Sequence, residues 1–460
     1  MHSTASTTCS FPRSNYIALS RSTSHAQPSR HGARPNDSGV SRTVRFRRAI
    51  PWWAIVITVL VLVTAPFAVE PVWDAATFGS VGEGRLDLPS AYMAIAPLSN
   101  VLDTLTLLTV AQHVAIFIFV LALFTGWRAW RGRTRRPTPR GEFIAAVVLI
   151  VTVVVIYVVG VLLPRPMAQL VLSDPEVVSI DFHAHTKYSH DGRSGWTEED
   201  VRDWHRAAGF DVAYITDHAT FEGAERGVAG NPGLAGQGTV LLQGLEAFYR
   251  GEHVNILSAG RRFRGITTKD MKDVDEEALA LASLIPATSP LLIETIPGNL
   301  SKMTPAKFDG GVGVRAIEIV DGSPRGLAQG RKEHDRIVKL ADTLNLALVT
   351  GSDNHGWGHA APGWTLMRVP GWRGMTTDSL SRRVEDILRI GRRESTKTIE
   401  RRVASATDPM SIIFAGPAVF WRMLTTLSPD ERVIWLMWVW GLVIVIGGLR
   451  SYRIRPSATA

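Results

Sequence analysis

The sequence predicts a multi-pass membrane protein that carries an α/β domain, and three observations support this fold class. The chain of 460 residues is 45% hydrophobic although 20% of its residues are charged, which indicates that apolar residues are gathered into blocks. Four long apolar runs are each flanked by arginine. Between the third and fourth runs, short β-prone runs alternate with helical periodicity, which is typical of a parallel barrel or an open sheet.

The apolar runs are long enough to cross a membrane, because about twenty apolar residues span the ~30 Å hydrocarbon core. The predicted transmembrane helices are 50–69, 105–127 and 143–163, which make up a membrane region 50–164, and 433–449 near the C-terminus. Each run could instead be a buried core helix. The first could also be a cleaved signal peptide, since its N-terminal flank is basic.

The arginines predict the orientation of the chain. Residues 1–49 hold eight Arg and one Asp and are predicted to form a disordered basic cytoplasmic tail, and 127–141 hold six Arg and no acid. Because basic loops stay in the cytoplasm, both termini are predicted to be cytoplasmic and residues 165–430 extracytoplasmic, in a cell or inner membrane. Within 409–460, an interfacial helix over 409–424 is predicted to precede the last span and a short basic tail. A fifth span there would place the C-terminus outside.

The remaining composition excludes some classes of site. The net charge of +8 lies mainly beside the apolar runs, and the segment 176–405 is close to neutral, so long nucleic acid is not favoured as a partner. The chain has one cysteine, Cys9, which excludes an intrachain disulfide and a multi-thiolate zinc site.

The segment 174–405 is predicted to be the extracytoplasmic α/β domain. "TEEDVRDWHRAAG" predicts a helix, with Thr197 as N-cap and Gly209 as its stop. Seven strands are predicted, at 177–182, 212–216, 239–245, 253–258, 291–296, 315–320 and 345–351.

Potential metal ligands recur at the ends of these strands. The side chains are His183 and His185, Asp217 and His218, Glu246, His253, and Asp353 and His355. In a barrel, the carboxyl ends of the strands meet at one mouth. Imidazole and carboxylate ligands suit Zn, Mn or Fe, and a pair of such ions can activate a water molecule. The sequence therefore predicts a divalent metal site at this mouth.

The motifs "DFHAHTKYSHDG", "ITDH", "GLE", "EHVNIL" and "TGSDNH", in this order, resemble the PHP (polymerase and histidinol phosphatase) superfamily of metal-dependent phosphoesterases. The resemblance covers roughly residues 176–390. It implies a distorted (β/α)7 barrel that binds about two to three divalent ions and hydrolyses phosphate esters with a metal-activated water.

The resemblance also implies a role for each motif residue. His183, His185, Glu246 and Asp353 would hold the first ion and its catalytic water. Glu246 would bridge to a second ion that His253 also binds.

The third ion would be held by His218, His355 and a residue of the first loop. That residue is either His190 or Asp191, and Asp191 is favoured because it keeps its place before Gly192. Asp217 is either a further ligand or the residue that orients a ligand histidine.

One position departs from the family pattern, because Ile296 stands where a histidine is expected. Glu294 is a candidate replacement, since residues two apart on a strand face the same side. The alternative is a weak or empty second site.

Substrate residues are suggested by charge alone for Lys187, Arg250 and Arg325, and by position near the last motif for His359. The expected substrate is a phosphorylated small molecule, a lipid head group or an envelope polymer, as a mono- or diester. Two alternatives stay open: a metal-binding sensor or scaffold without catalysis, and a metallohydrolase that acts on a carboxyl ester or amide.

Overall fold

The computed structural model describes residues 50–132, 138–257, 264–285, 288–296, 314–403 and 412–453. The predicted basic tail 1–49 and part of the arginine-rich segment, 133–137, lie outside the described residues.

The described helices and strands are numbered in chain order. The α-helices are α1 (Trp52–Val63), α2 (Ser90–Ala94), α3 (Ala96–Thr106), α4 (Val110–Gly132), α5 (Pro139–Leu162), α6 (Glu198–Ala208), α7 (Glu222–Ala229), α8 (Glu276–Ala282), α9 (Pro324–Leu344), α10 (Thr377–Gly391), α11 (Ala415–Thr425) and α12 (Pro429–Arg453). The strands are β1 (Val72–Asp74), β2 (Gly84–Asp87), β3 (Gln169–Leu172), β4 (Val177–Ala184), β5 (Val212–Ile215), β6 (Val240–Tyr249), β7 (Glu252–Leu257), β8 (Leu291–Glu294), β9 (Val314–Asp321), β10 (Ala347–Gly351), β11 (Gly363–Arg368) and β12 (Lys397–Arg401).

Three of the four predicted spans correspond to helices that are long and apolar enough to cross a membrane: α4, α5 and residues Pro429–Leu449 of α12. The first run differs, because α1 ends at Val63 and a short 3-10 turn containing Pro66 follows. The apolar helix Trp52–Phe67 is therefore shorter than the ~30 Å hydrocarbon core requires. The second helix begins at Val110 rather than 105, since α3 ends before it.

The apolar helices pack against one another through small residues and one buried arginine. A Cβ on Gly416 of α11 would lie 2.6 Å from the Phe119 ring, so α11 packs closely on α4. Arg432 of α12 donates to the carbonyl oxygens of Val61 (2.7 Å) and Leu424 (2.8 Å) and thereby joins α1, α11 and α12. The predicted interfacial segment 409–424 is described from residue 412 onward.

All seven predicted strands form, as β4 to β10. They lie in one curled ten-stranded sheet with the order β1-β12-β11-β4-β5-β6-β7-β8-β9-β10. The curl brings the last strand back to β4: Ala184 and Asn354 form a bridge, and the Ser352 amide donates to Asp181 (2.9 Å). The domain is therefore a mixed α/β fold whose interior is enclosed by the curved sheet.

The sheet is not purely parallel, contrary to the prediction from the alternating pattern. β7 runs antiparallel to both β6 and β8, and β11, β12 and β1 add antiparallel strands beyond β4. The reversal at β7 follows from a two-residue turn, in which Arg250 and Gly251 both have positive φ (53° and 83°). Such a turn is typical of a hairpin and leaves no room for a crossover helix.

Local sequence signals explain how the ligand-bearing loops are anchored. α6 begins with a capping box between Thr197 and Asp200 and ends at Gly209, whose φ of 84° suits glycine. His183 lies at one end of the sheet. At the opposite end, helix α10 covers the apolar interior with Leu380, Val384 and Leu388. One end of the domain is thus closed, and the other carries the polar motifs.

Candidate metal centre

Four predicted ligands of the first ion converge at the open end of the sheet. The Nε2 atom of His183 lies 3.0 Å from His185 Nε2, 3.0 Å from Glu246 Oε2 and 3.5 Å from Asp353 Oδ1. His185 Nε2 lies 3.2 Å from the same Glu246 oxygen and 3.3 Å from the same Asp353 oxygen. Each histidine therefore directs its Nε2 atom at both Glu246 and Asp353.

The spacing of these donors fits a metal ion. A tetrahedral site with bonds of roughly 2.1 Å has neighbouring donors roughly 3.4 Å apart. The five separations that involve His183 or His185, 3.0–3.5 Å, match this value. Two imidazole nitrogens and two carboxylate oxygens are also the donor types that Zn, Mn and Fe accept.

The predicted ligands of a third ion form an adjoining group. Asp191 Oδ2 lies 3.1 Å from His355 Nε2 and 3.5 Å from His218 Nε2. His218 Nε2 is also 3.3 Å from Glu246 Oε2, so Glu246 connects the two groups. His190 is 74% exposed, with its Nδ1 atom 3.9 Å from Asp191. The structure thus places Asp191 between both histidines, whereas His190 lies at the rim.

The predicted second site contains fewer described donors. His253 Nδ1 lies 2.5 Å from Glu246 Oε1. Glu294 is buried on the β8 face that carries Leu292, opposite the inward-facing Ile293. The backbone amide of Ile296 donates to Glu318 (3.1 Å). The candidate replacement Glu294 therefore does not join the mouth group among the described residues, and its role as a ligand stays a prediction.

Glu318 belongs to the site although sequence reasoning did not identify it. Its Oε1 accepts a hydrogen bond from His183 Nδ1 (2.9 Å), which leaves His183 Nε2 free to bind a metal. Asp321 lies in the same group. The detectable signal is the run "RAIEIVDG", in which Glu318 lies between two isoleucines of a strand that is buried throughout.

Two further acids organise the backbone around the ligands. Asp217 accepts from the amide and the hydroxyl of Thr186, both at 2.6 Å, and lies 4.0 Å from His185 Nδ1. Asp181 accepts from His205 Nε2 (2.7 Å). Asp217 is therefore placed to position the first loop, and His205 pairs away from the metal ligands.

The electrostatics of the site reflect an excess of acceptors. Burial alone would lower the pKa of His185, but hydrogen bonds to Asp353 and Glu246 outweigh it and raise that pKa to about 10. Burial likewise would lower the pKa of His183, but the charges of Glu246, Glu318 and Asp353 raise it well above its usual range. The cluster thus attracts positive charge, which a divalent ion would supply.

The predicted substrate residues lie in different environments. Lys187 is exposed beside Tyr188. Arg250, in the β6–β7 turn, pairs with Glu276 of α8 (2.9 Å). Arg325 is exposed in the first turn of α9. Burial and the neighbouring Arg165 and Arg193 lower the pKa of His359 to about 4.

Arg193, which the sequence reasoning did not single out, lies directly beside the ligands. Its amide donates to the His355 carbonyl (3.0 Å), and its guanidinium donates to the Gly356 carbonyl (3.1 Å).

No family model matches the chain, and a comparison with curated proteins found no match. The chain is remotely similar to the solved structure of PsfC from Pseudomonas syringae (18% identity over 53% of this chain and 97% of that chain, TM-score 0.34). It is also similar to a two-domain protein from Bacteroides vulgatus that contains a predicted PHP-like metal-dependent phosphoesterase (18% identity over 45% of this chain and 63% of that chain, TM-score 0.29). A third similar structure is the lesion-specific endonuclease PfuEndoQ from Pyrococcus furiosus (16% identity over 46% of this chain and 56% of that chain, TM-score 0.33). These similarities are remote.

Proposed function

We propose that the chain is a membrane-anchored, metal-dependent hydrolase that cleaves a phosphate mono- or diester. The observation that carries this proposal is that His183 Nε2 and His185 Nε2 lie 3.0 Å apart and each lie 3.0–3.5 Å from both Glu246 and Asp353, beside the Asp191, His218 and His355 group. Burying so many ionisable groups face to face is costly unless a cation compensates their charge.

Two groups of ligands that share Glu246 suit a multinuclear centre. His183, His185, Glu246 and Asp353 would hold one ion, and Asp191, His218 and His355 another. Bound divalent ions would supply an activated water and charge stabilisation at phosphorus.

The side chains of this chain contribute orientation. Glu318 fixes the His183 ring through Nδ1, and the Asp353 carbonyl accepts from His355 Nδ1 (2.9 Å), so both rings present Nε2 to the cluster. Arg193 adds a fixed positive charge beside the mouth, where it can bind an anionic ester. Ser189 and Ser352 bond to backbone atoms of His218 (3.4 Å) and His183 (3.1 Å). Among the described residues, no serine bonds to the imidazole ring of a ligand histidine, so a serine-type mechanism has no support there.

The test is metal content followed by hydrolysis. The full-length protein, purified in detergent without added metal, is analysed by elemental mass spectrometry beside His183→Ala. We expect about two to three equivalents of Zn, Mn or Fe, with loss of at least one in the variant. Metal-loaded protein is then assayed on bis(4-nitrophenyl) phosphate and 4-nitrophenyl phosphate.

Chelation should abolish hydrolysis, and serine-directed reagents should leave it unchanged. A folded protein that takes up no metal would contradict the proposal. Uptake of metal without hydrolysis of either ester would instead favour a metal-binding sensor, and hydrolysis of 4-nitrophenyl acetate alone would favour an esterase.

A further inference from the structure

A cavity of about 310 Å³ connects the metal centre with the apolar helices. Its polar end is lined by Asp191, Asp353 and His355. Its apolar end is lined by Leu102 and Leu105 of α3 and Val161 of α5. The volume lies at the lower end of the range for ligand pockets, which is roughly 300–1,000 Å³.

The apolar wall is fixed to the metal-binding loop. The amide of Gly358, three residues after the ligand His355, donates to the carbonyl oxygen of Val161 at the end of α5 (3.1 Å). The Trp204 indole donates to the Gly358 carbonyl (3.1 Å). The loop that carries a predicted ligand is therefore hydrogen-bonded to a helix that is long and apolar enough to cross a membrane.

Ion pairs hold α3 and α5 in place against the sheet. Asp103 of α3 is bonded to Arg165, which follows α5, and to Arg401 of β12 (2.9 Å). All three side chains are largely buried. The cavity is thus built by the folded chain and is not a gap between loosely packed parts.

The cavity wall continues into the exposed apolar surface of the helices. His113 of α4 and Tyr157 of α5 line the cavity and are joined by a hydrogen bond of 2.7 Å. The next residues along each helix, Val114 and Val158, are 55% and 46% exposed. A hydrocarbon tail that extends from the polar end of the cavity would therefore reach the exposed apolar surface of α4 and α5 within one helical turn.

We propose that the substrate is a membrane amphiphile whose phosphoester head reaches the metal centre while its hydrocarbon tail lies between α3, α4 and α5. This inference rests on the proposed function and specifies its substrate class. In the reaction, water adds its oxygen to phosphorus, the P–O bond to the leaving alcohol breaks, and that oxygen takes up the proton that water gives up. The tail plays no chemical part, but each methylene moved from water into an apolar site strengthens binding roughly fourfold.

The experiment compares two esters with the same reacting group, hexadecyl 4-nitrophenyl phosphate and methyl 4-nitrophenyl phosphate, on metal-loaded full-length protein in one detergent. The same comparison is made with hexadecyl phosphate and methyl phosphate, so that a monoesterase is also detected. We expect kcat/KM to be at least tenfold higher for the long-chain member of the pair that is hydrolysed.

Substitutions then locate the tail. Val161→Trp narrows the apolar end and should lower the long-chain to short-chain ratio of kcat/KM at least tenfold. Leu105→Trp, on a different wall, should act in the same direction. The matched control is Val155→Trp, since Val155 is 53% exposed on α5 and does not line the cavity.

A binding measurement keeps the two proposals distinguishable. Hexadecyl phosphate with a diazirine close to its phosphate, on the fourth carbon of the chain, should label the segment 102–106 of the unaltered protein, and excess hexadecyl phosphate should suppress this label, whereas hexadecyltrimethylammonium should not. Equal kcat/KM for long and short esters, unchanged by Val161→Trp, would overturn the amphiphile and leave the hydrolase. If no ester is cleaved, the hydrolase fails, and labelling of 102–106 alone decides whether a long-chain phosphate binds.

Discussion

The two ends of the curled sheet differ in how their buried polar groups are arranged. At the closed end, Leu380, Val384 and Leu388 of α10 pack on the apolar interior. Its buried acid, Glu385, is 3.2 Å from Arg389, which also donates to the Ser289 carbonyl (3.0 Å). The buried acid of this end is thus paired within the protein.

At the open end, acids and histidines face one another instead of separate partners. Glu246 Oε2 lies within 3.3 Å of three histidine nitrogens, those of His183, His185 and His218. Such an arrangement by itself contributes little to the stability of the fold and is suited to a bound cation. The comparison indicates that the closed end provides stability and the open end provides function, and the predictions below test this division.

The largest expected effect is at the open end. His185→Ala should remove at least one metal equivalent and lower kcat/KM about 10³-fold, because a donor shared by both ligand groups is lost. Elemental analysis and phosphoester hydrolysis measure this effect. Without metal, the variant should unfold no more easily than the original protein. An unfolding temperature that falls sharply without metal would show that the cluster is structural.

At the closed end, Leu388→Ala should lower the free energy of unfolding by about 3 kcal/mol, since a fully buried leucine leaves a cavity. The matched control is Ile390→Ala on the same helix, because Ile390 is 84% exposed. Metal content per folded molecule should stay unchanged in both. Denaturant unfolding in detergent provides the measurement, and a loss of metal in Leu388→Ala would break the division between the two ends.

Glu385 should make the closed end sensitive to pH. Burial raises the pKa of Glu385 from 4.5 to about 7, and Arg389 offsets this only in part. The folded state then binds more protons than the unfolded state between these values, so the free energy of unfolding should fall as pH rises through that window. The contribution is at most about 3 kcal/mol.

The measurement is the free energy of unfolding against pH for the original protein and for Glu385→Gln, which should lack this part of the slope. Asp378→Asn, an exposed acid on the same helix, controls for the loss of one charge. Identical slopes in the original protein and Glu385→Gln would contradict the assignment.

Glu318 should affect metal affinity more than stability. Glu318→Gln weakens the hydrogen bond that orients His183, and loss of such partners typically costs 10–100-fold in metal affinity. Competition with a chelator dye measures the affinity. The informative comparison is Glu294→Gln, which alters a buried acid on the face of β8 opposite Ile293. Equal weakening by both substitutions would show that Glu294 is a metal ligand after all.

The smallest expected effect separates the two candidate residues of the first loop. Asp191→Asn should weaken one metal site at least tenfold, because its carboxylate lies between His218 and His355. His190→Ala should change affinity less than about threefold, since that ring is largely exposed. The reverse order would assign the ligand to His190.

The sequence by itself determined the local elements and the chemical character of the mouth. Alternation of apolar residues predicted all seven central strands, and the Thr197 cap and Gly209 stop fixed α6, because these signals act between near neighbours. The motif histidines and acids were predicted to meet because strand ends converge.

Only the tertiary structure decided which distant groups meet. Glu318 faces His183 from 135 residues away, and Asp103 binds Arg401 across 298 residues, so no spacing rule could pair them. Three further features likewise depend on how the sheet curls and where the helices pack. They are the antiparallel direction of β7, the position of the buried Glu294 on the β8 face that carries Leu292, and the cavity between the metal centre and helices α3, α4 and α5. Periodicity specifies which face of an element is buried but not which partner covers it.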